Sequence, residues 1–297
     1  MTRPASSETR VSFGSSLEFG LFRWLLQKYS GFGVLVPERT GVLVWSIANL
    51  TVILFYLYEI GFLIGFGEEY WRAEVRYFYF GNVFFVAFFL ADIVISPLKA
   101  YYEHGILVEN RVIIFKRYIR LYLWLDLLSL LGVLMPLLDS RVVFNFFKFL
   151  FLFKLTTAYQ LDKYLMMLIR NRFKRSHYYA VARIVFFMLL WAHWMAVGYY
   201  ALDYWIYENN IYGPNTPNHC WIYNSGLEYN ISQEYWGVKY LYSLYWSIGN
   251  ITTIAYGDIT AYNPIDAAYV IIVQTLSILL FTYFFKMLLE VILVAKV

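Results

Sequence analysis

Six long apolar segments constrain this chain more than any other feature: Val42–Phe66, Phe78–Leu98, Leu121–Leu138, Val142–Ile169, Ile184–Ile206 and Ala267–Ala295. Each is long enough for a bilayer-spanning helix of about 20 residues. Residues are 61% hydrophobic and 15% charged, with a mean hydropathy of +0.53. A soluble domain does not carry that composition, so the chain reads as an all-α, multi-pass membrane protein. A seventh apolar stretch, Tyr240–Ile251, is too short to cross. It reads as a re-entrant helix, tolerated at membrane depth only where protein buries it or it lines an aqueous cavity.

Loop charge gives an orientation. Lys99, Arg111, Lys116, Arg117 and Arg120 follow the second segment, and Arg170, Arg172, Lys174, Arg175 and Arg183 follow the fourth. The loop Gly67–Tyr77 and the stretch Asp203–Lys239 are richer in acid. The positive-inside rule places both basic loops and both termini on the cytosol-like face. A plasma membrane and a mitochondrial inner membrane fit equally. Ahead of the first span, residues 1–41 hold one candidate interfacial helix, Leu17–Tyr29. Asn230-Ile231-Ser232 forms a glycosylation sequon in the outer stretch.

Other functions find little support. One cysteine, Cys220, permits no intrachain disulfide. The four histidines lack metal-ligand spacing, and no cofactor is expected. A net charge of +4 is too small to argue for nucleic acid. No zinc-protease helix, nucleophile elbow or phosphate loop occurs, so an enzyme is not expected.

Between the last two spans stands Thr252-Thr253-Ile254-Ala255-Tyr256-Gly257-Asp258. It is similar to the potassium-channel filter pattern Thr-Thr-Val-Gly-Tyr-Gly-Asp, with Ile254 for valine and Ala255 for glycine. Such a filter replaces the water shell of an ion with backbone carbonyls. That geometry needs residues of alternating handedness. Glycine takes positive φ freely, whereas alanine gives up about 1–2 kcal/mol there. Thr253 would supply a hydroxyl, Tyr256 would brace the filter sideways, and Gly257 and Asp258 would close the outer mouth.

Further stretches widen the likeness. They are Ala91-Asp92-Ile93-Val94, Tyr101–Val108, Tyr118–Leu131 and Ala192-His193-Trp194. Together with the filter they resemble six-helix potassium-type channels related to cyclic-nucleotide-gated, ether-à-go-go and plant inward-rectifier channels. The resemblance implies a four-helix voltage-sensor-like domain and linker over 42–183. It also implies a two-helix pore domain with re-entrant helix and filter loop over 184–297, a homotetramer in the bilayer, and potassium ions in the filter.

The chain departs from that family in several places. The fourth helix should carry a charge at every third residue, but the stripe reads Lys148, Phe151, Lys154, Thr157, Gln160, Lys163. Asp92 and Asp126 are expected as counter-charges for Lys148 and Lys154, and voltage sensing as weak or absent. Gly249-Asn250 replaces the usual Thr-Thr and is expected to loosen the pore helix below the filter. The last helix has no glycine. Lys286 and Glu290, four apart, either pair there or place a ring of charge at the pore. The sequence ends at Val297, so the family's cyclic-nucleotide-binding domain is expected to be absent. Two readings follow: a conducting channel subunit, or a non-conducting channel fold retained as a structural subunit among other membrane proteins, for example in a respiratory-chain assembly.

Overall fold

In the computed structural model, residues 34–37, 39–103, 106–138, 147–172, 176–224 and 235–295 are described. The interfacial helix expected at Leu17–Tyr29 and the sequon at Asn230 lie outside them.

Helix α1 runs Thr40–Ile95, 56 residues without a break in helical backbone. It nevertheless folds back on itself. Trp45 stacks on Phe88 with ring centroids 5.1 Å apart, and Tyr56 meets Phe85 at 4.7 Å. A straight helix would hold Trp45 and Phe88 roughly 65 Å apart. The expected loop Gly67–Tyr77 is therefore helical backbone, and the reversal falls between two candidate spans, Thr40–Gly67 and Phe80–Leu98. The sequence explains the helical backbone, though not the reversal. Residues 68–80 contain neither glycine nor proline, and glutamate, arginine and alanine are good helix formers.

The chain forms two compact units. The first comprises Met1–Val44 and Ala91–Trp124. In it Leu35 exchanges backbone hydrogen bonds with Leu98 and Ala100 at 2.9 and 3.0 Å. A short antiparallel hairpin follows, β1 (Tyr101–Glu103) and β2 (Ile106–Val108). Helix α2 (Arg111–Leu121) is capped by Asn110, whose side chain accepts from Val112 N at 3.0 Å. Arg117 lies over the Tyr101 ring at 3.8 Å.

The second unit comprises Trp45–Leu90 and Leu125–Val297. Helix α3 (Leu123–Leu138) follows α2 in the chain. A 3-10 helix covers Phe149–Lys154 and passes into α4 (Leu155–Arg172). Then come α5 (Ser176–Glu208), a 3-10 turn (Gly213–His219), the short α6 (Trp221–Asn224), α7 (Trp236–Ile251) and α8 (Pro264–Ala295). The core joins α1, α5, α6, α7 and α8 through aromatic rings, with Tyr269 of α8 parallel to Tyr199 at 6.1 Å. Tyr199 stacks on Trp246 at 3.9 Å and on Trp221 at 5.3 Å, and Phe66 stacks on Tyr200 at 3.9 Å.

Among the described residues, four helices are long and apolar enough to cross a bilayer, or five if α2 and α3 count as one bent span. The architecture is that of an all-α membrane protein. The expected span Val142–Ile169 is helical from Phe147, and residues 139–146 ahead of it lie outside the description.

Gly132 shows how tightly α3 approaches the 3-10 helix. A Cβ there would stand 2.8 Å from Phe151 N and 3.1 Å from Phe147 O, both backbone atoms that cannot rotate away. Gly132→Ala is expected to cost about 1–3 kcal/mol by overpacking. A Cβ on Gly41 meets nothing within 4 Å, so Gly41→Ala should be near neutral. Thermal unfolding of both variants in detergent checks the contrast.

Candidate functional site

The site grows from α7. Its buried positions include Lys239, Ser243, Trp246, Ser247 and Asn250, spaced to line one helical face. Two serines on that face allow close approach and satisfy themselves: Ser243 Oγ donates to Lys239 O, and Ser247 Oγ donates to Ala192 O across to α5, at 2.8 and 2.7 Å. Beside them His193 stacks on Tyr58 at 3.7 Å, and Tyr240 OH bonds both His193 Nδ1 at 2.9 Å and Tyr58 OH at 2.7 Å. A Cβ on Gly61 would come within 2.8 Å of His193 Nε2, so a glycine is required for this approach.

Helix ends leave carbonyls without partners. Here the next residues take them. Thr253 N donates to Asn250 O at 3.1 Å, while Ile254 N and Ala255 N both donate to Gly249 O at 3.0 and 3.1 Å. Asn250 Nδ2 donates to Trp246 O at 2.9 Å, and Asn250 Oδ1 accepts from Gln274 Nε2 at 3.0 Å. The expected loosening at Gly249-Asn250 is thus corrected. The asparagine amide braces the turn in two directions, and helix continues to Ile251.

From there the backbone alternates. Thr253 has φ +61°, Ala255 +40° and Gly257 +81°, with Ile254 and Tyr256 between them outside the positive region. Residues 253–258 are exposed along their whole length, Ile254 by 57% and Tyr256 by 69%. Tyr256 lies parallel to Tyr245 of α7, 6.0 Å between centroids. Tyr245 OH donates to Asp258 Oδ2 at 2.7 Å, and Asp258 Oδ1 accepts from Ile259 N at 3.1 Å. The segment is therefore tied to its helix at both ends. A cavity of 190 Å³ lies behind it, lined by Trp246, Gly249, Asn250, Ala255, Val270 and Gln274, among others.

The charged residues expected in the bundle divide into two sets. Lys154 Nζ donates to Asp126 Oδ1 at 2.7 Å, with side chains 1% and 4% exposed. Lys148 is also buried and donates to Leu63 O at 3.2 Å. In the other unit, Asp92 accepts from Lys99 at 3.3 Å and Ser96 at 3.2 Å. The stripe itself is half kept. A 3-10 helix has three residues per turn, so Lys148, Phe151 and Lys154 fall on one buried face. At Leu155 the backbone becomes α-helical and a three-residue period drifts off that face. Gln160 and Lys163 are exposed in consequence.

On α8, Lys286 Nζ stands 3.8 Å from Glu290 Oε1, with side chains 74% and 64% exposed. The pair forms, but at such exposure it adds little stability. Cys220 is buried, and that burial, with the Asp203 carboxylate beside it, pushes its thiol well above the usual range.

Sequence reasoning did not find Tyr245 or Gln274. The signal for Gln274 was present: it is an amide within the apolar run of a spanning helix, and such a group must find a partner. Tyr245 gave none, because the ring that reaches Asp258 sits thirteen residues before it among several other tyrosines.

Residues 219–294 match the family described as "Ion channel", a stretch that runs from the start of α6 through α7, the exposed segment and nearly all of α8. The match covers well under half of the chain. No curated protein matches it. The chain is an integral, multi-pass membrane protein in which residues 219–294 are similar to the ion-channel family.

Proposed function

We propose that this chain is the pore-forming subunit of a potassium-type cation channel, with six spans and four copies around one axis. Thr253, Ile254, Ala255, Tyr256, Gly257 and Asp258 form its filter, and potassium ions are its cargo. The observation that carries the reading is the alternation of backbone handedness at Thr253, Ala255 and Gly257, directly after a helix too short to cross. Alternation turns successive carbonyls toward one line, which is what replacing a water shell requires. The ion-channel match over the same residues supports it.

Voltage dependence in this reading is weak or absent. Each charge moved through the field is worth about 2.3 kcal/mol per 100 mV, and steep gating needs several of them. Only two lysines occupy the buried face, and Lys154 is held at 2.7 Å by Asp126. We place both termini on the positive-inside face, so the filter opens to the opposite side.

Reconstitution tests the proposal. Protein purified from its native membrane and placed in liposomes should carry potassium flux, and the conducting particle should contain four copies. Absence of flux, or a single copy with residues 253–258 packed against foreign subunits, overturns it.

A further inference from the structure

Several polar side chains of α8 find partners on their own helix or on α5. Thr275 and Thr282 donate to Ile271 O and Ile278 O at 2.8 and 2.9 Å. Ser277 Oγ accepts from Trp191 Nε1 at 3.3 Å. Gln274 instead reaches α7, where its Nε2 meets Asn250 Oδ1. The polarity of this contact is fixed. Asn250 turns its amino group toward Trp246 O, so its carbonyl oxygen faces Gln274, and the residue opposite must donate.

Asn250 is 6% exposed and stands one residue before the end of the helix whose last carbonyls seat the filter. Its own carbonyl takes Thr253 N, and the adjacent carbonyl of Gly249 takes Ile254 N and Ala255 N. Behind these groups is cavity rather than packed side chain: a Cβ at Gly249 would find only Ala255 N, at 3.9 Å. The Gln274–Asn250 hydrogen bond thus runs from α8 to this turn beside open space, in addition to the ring packing of Trp246 on Tyr269.

We propose that Gln274 is a positioning residue for the filter, tying α8 through Asn250 to the carbonyls that hold Thr253, Ile254 and Ala255. It touches no ion. It fixes the seat of the filter, so that a displacement of α8 is passed to the spacing of the filter carbonyls and hence to ion selection. This rests on the channel reading above, but one of its consequences does not need conduction.

The test uses full-length protein in liposomes or nanodiscs. Gln274→Met keeps length and removes the donor. Amide hydrogen exchange in the peptide covering Thr252–Tyr256 should speed up about fivefold, the effect of losing roughly one hydrogen bond's worth of local stability. Where the wild type conducts, the potassium-to-sodium flux ratio should fall with it. Ser277→Ala, which removes a hydrogen bond from the same helix without touching the filter seat, should change neither. Asn250→Ala carries the same test from the other partner if Gln274→Met fails to assemble, and the double variant should show no more than either single change. Unchanged filter exchange in Gln274→Met and Asn250→Ala overturns the inference, as does an equal effect of Ser277→Ala. Wild-type protein without flux overturns the channel reading alone, since the exchange measurement still decides the role of Gln274.

Discussion

Lys154→Met is expected to destabilise the chain by about 3–5 kcal/mol, whereas Lys154→Met with Asp126→Leu should restore most of the loss. The two side chains are almost wholly shielded and meet at 2.7 Å. Removing the lysine leaves a carboxylate that is 4% exposed and without its counter-charge. The Phe89 ring lies 5.6 Å from Lys154 Nζ and offers the ammonium a favourable face, but it offers nothing to a bare carboxylate. Replacing both partners removes the desolvation cost together with the attraction, which is why the double change is mild. Thermal unfolding in detergent, followed by tryptophan fluorescence, reads the difference directly. A silent single variant would show that water reaches the pair. By contrast Lys163→Met should change stability little, because Lys163 is exposed.

That comparison also shows what the sequence could and could not tell. The apolar segments announced a helical membrane protein, because a spanning run is a composition signal that survives without any knowledge of packing. The three-residue spacing of Lys148, Phe151 and Lys154 was equally legible, and the pairing of Lys154 with Asp126 was anticipated. Where the stripe would stop was hidden. It depends on the change from 3-10 to α backbone at Leu155, which no residue in Leu152-Phe153-Lys154-Leu155 marks. The helical backbone through residues 68–79 was missed for the opposite reason: charge there suggested a loop, while glutamate, arginine and alanine favour helix. In the segment proposed as the filter, the motif was legible with its unusual alanine. It gave no view of the hydrogen bonds that seat it, because Gln274 and Asn250 lie on different helices and meet only after folding.

Ala255→Gly is the most direct test of the filter itself. Ala255 has φ +40°, a region that costs an L-residue with a Cβ about 1–2 kcal/mol and glycine nothing. Position 255 is also the centre of the alternation, flanked by Thr253 at +61° and Gly257 at +81°. Strain at the middle carbonyl works against a single fixed spacing, and a filter that holds its oxygens loosely distinguishes potassium from sodium less well. Relief of that strain should raise the potassium-to-sodium flux ratio about five- to thirtyfold if all of it acts on selection. The reciprocal change is Gly257→Asp. It forces a side chain onto φ +81° and sets a second carboxylate beside Asp258, which Tyr245 already holds at 2.7 Å. Flux should be abolished in that variant, and since a Cβ at Gly257 meets nothing within 4 Å in its own chain, the strain at φ +81° rather than a clash is the cost to the protomer. The pair of variants should therefore move transport in opposite directions from one structural cause. An unchanged ratio in Ala255→Gly would place residue 255 outside the ion path, and persistent flux in Gly257→Asp would remove Thr253–Asp258 as the filter.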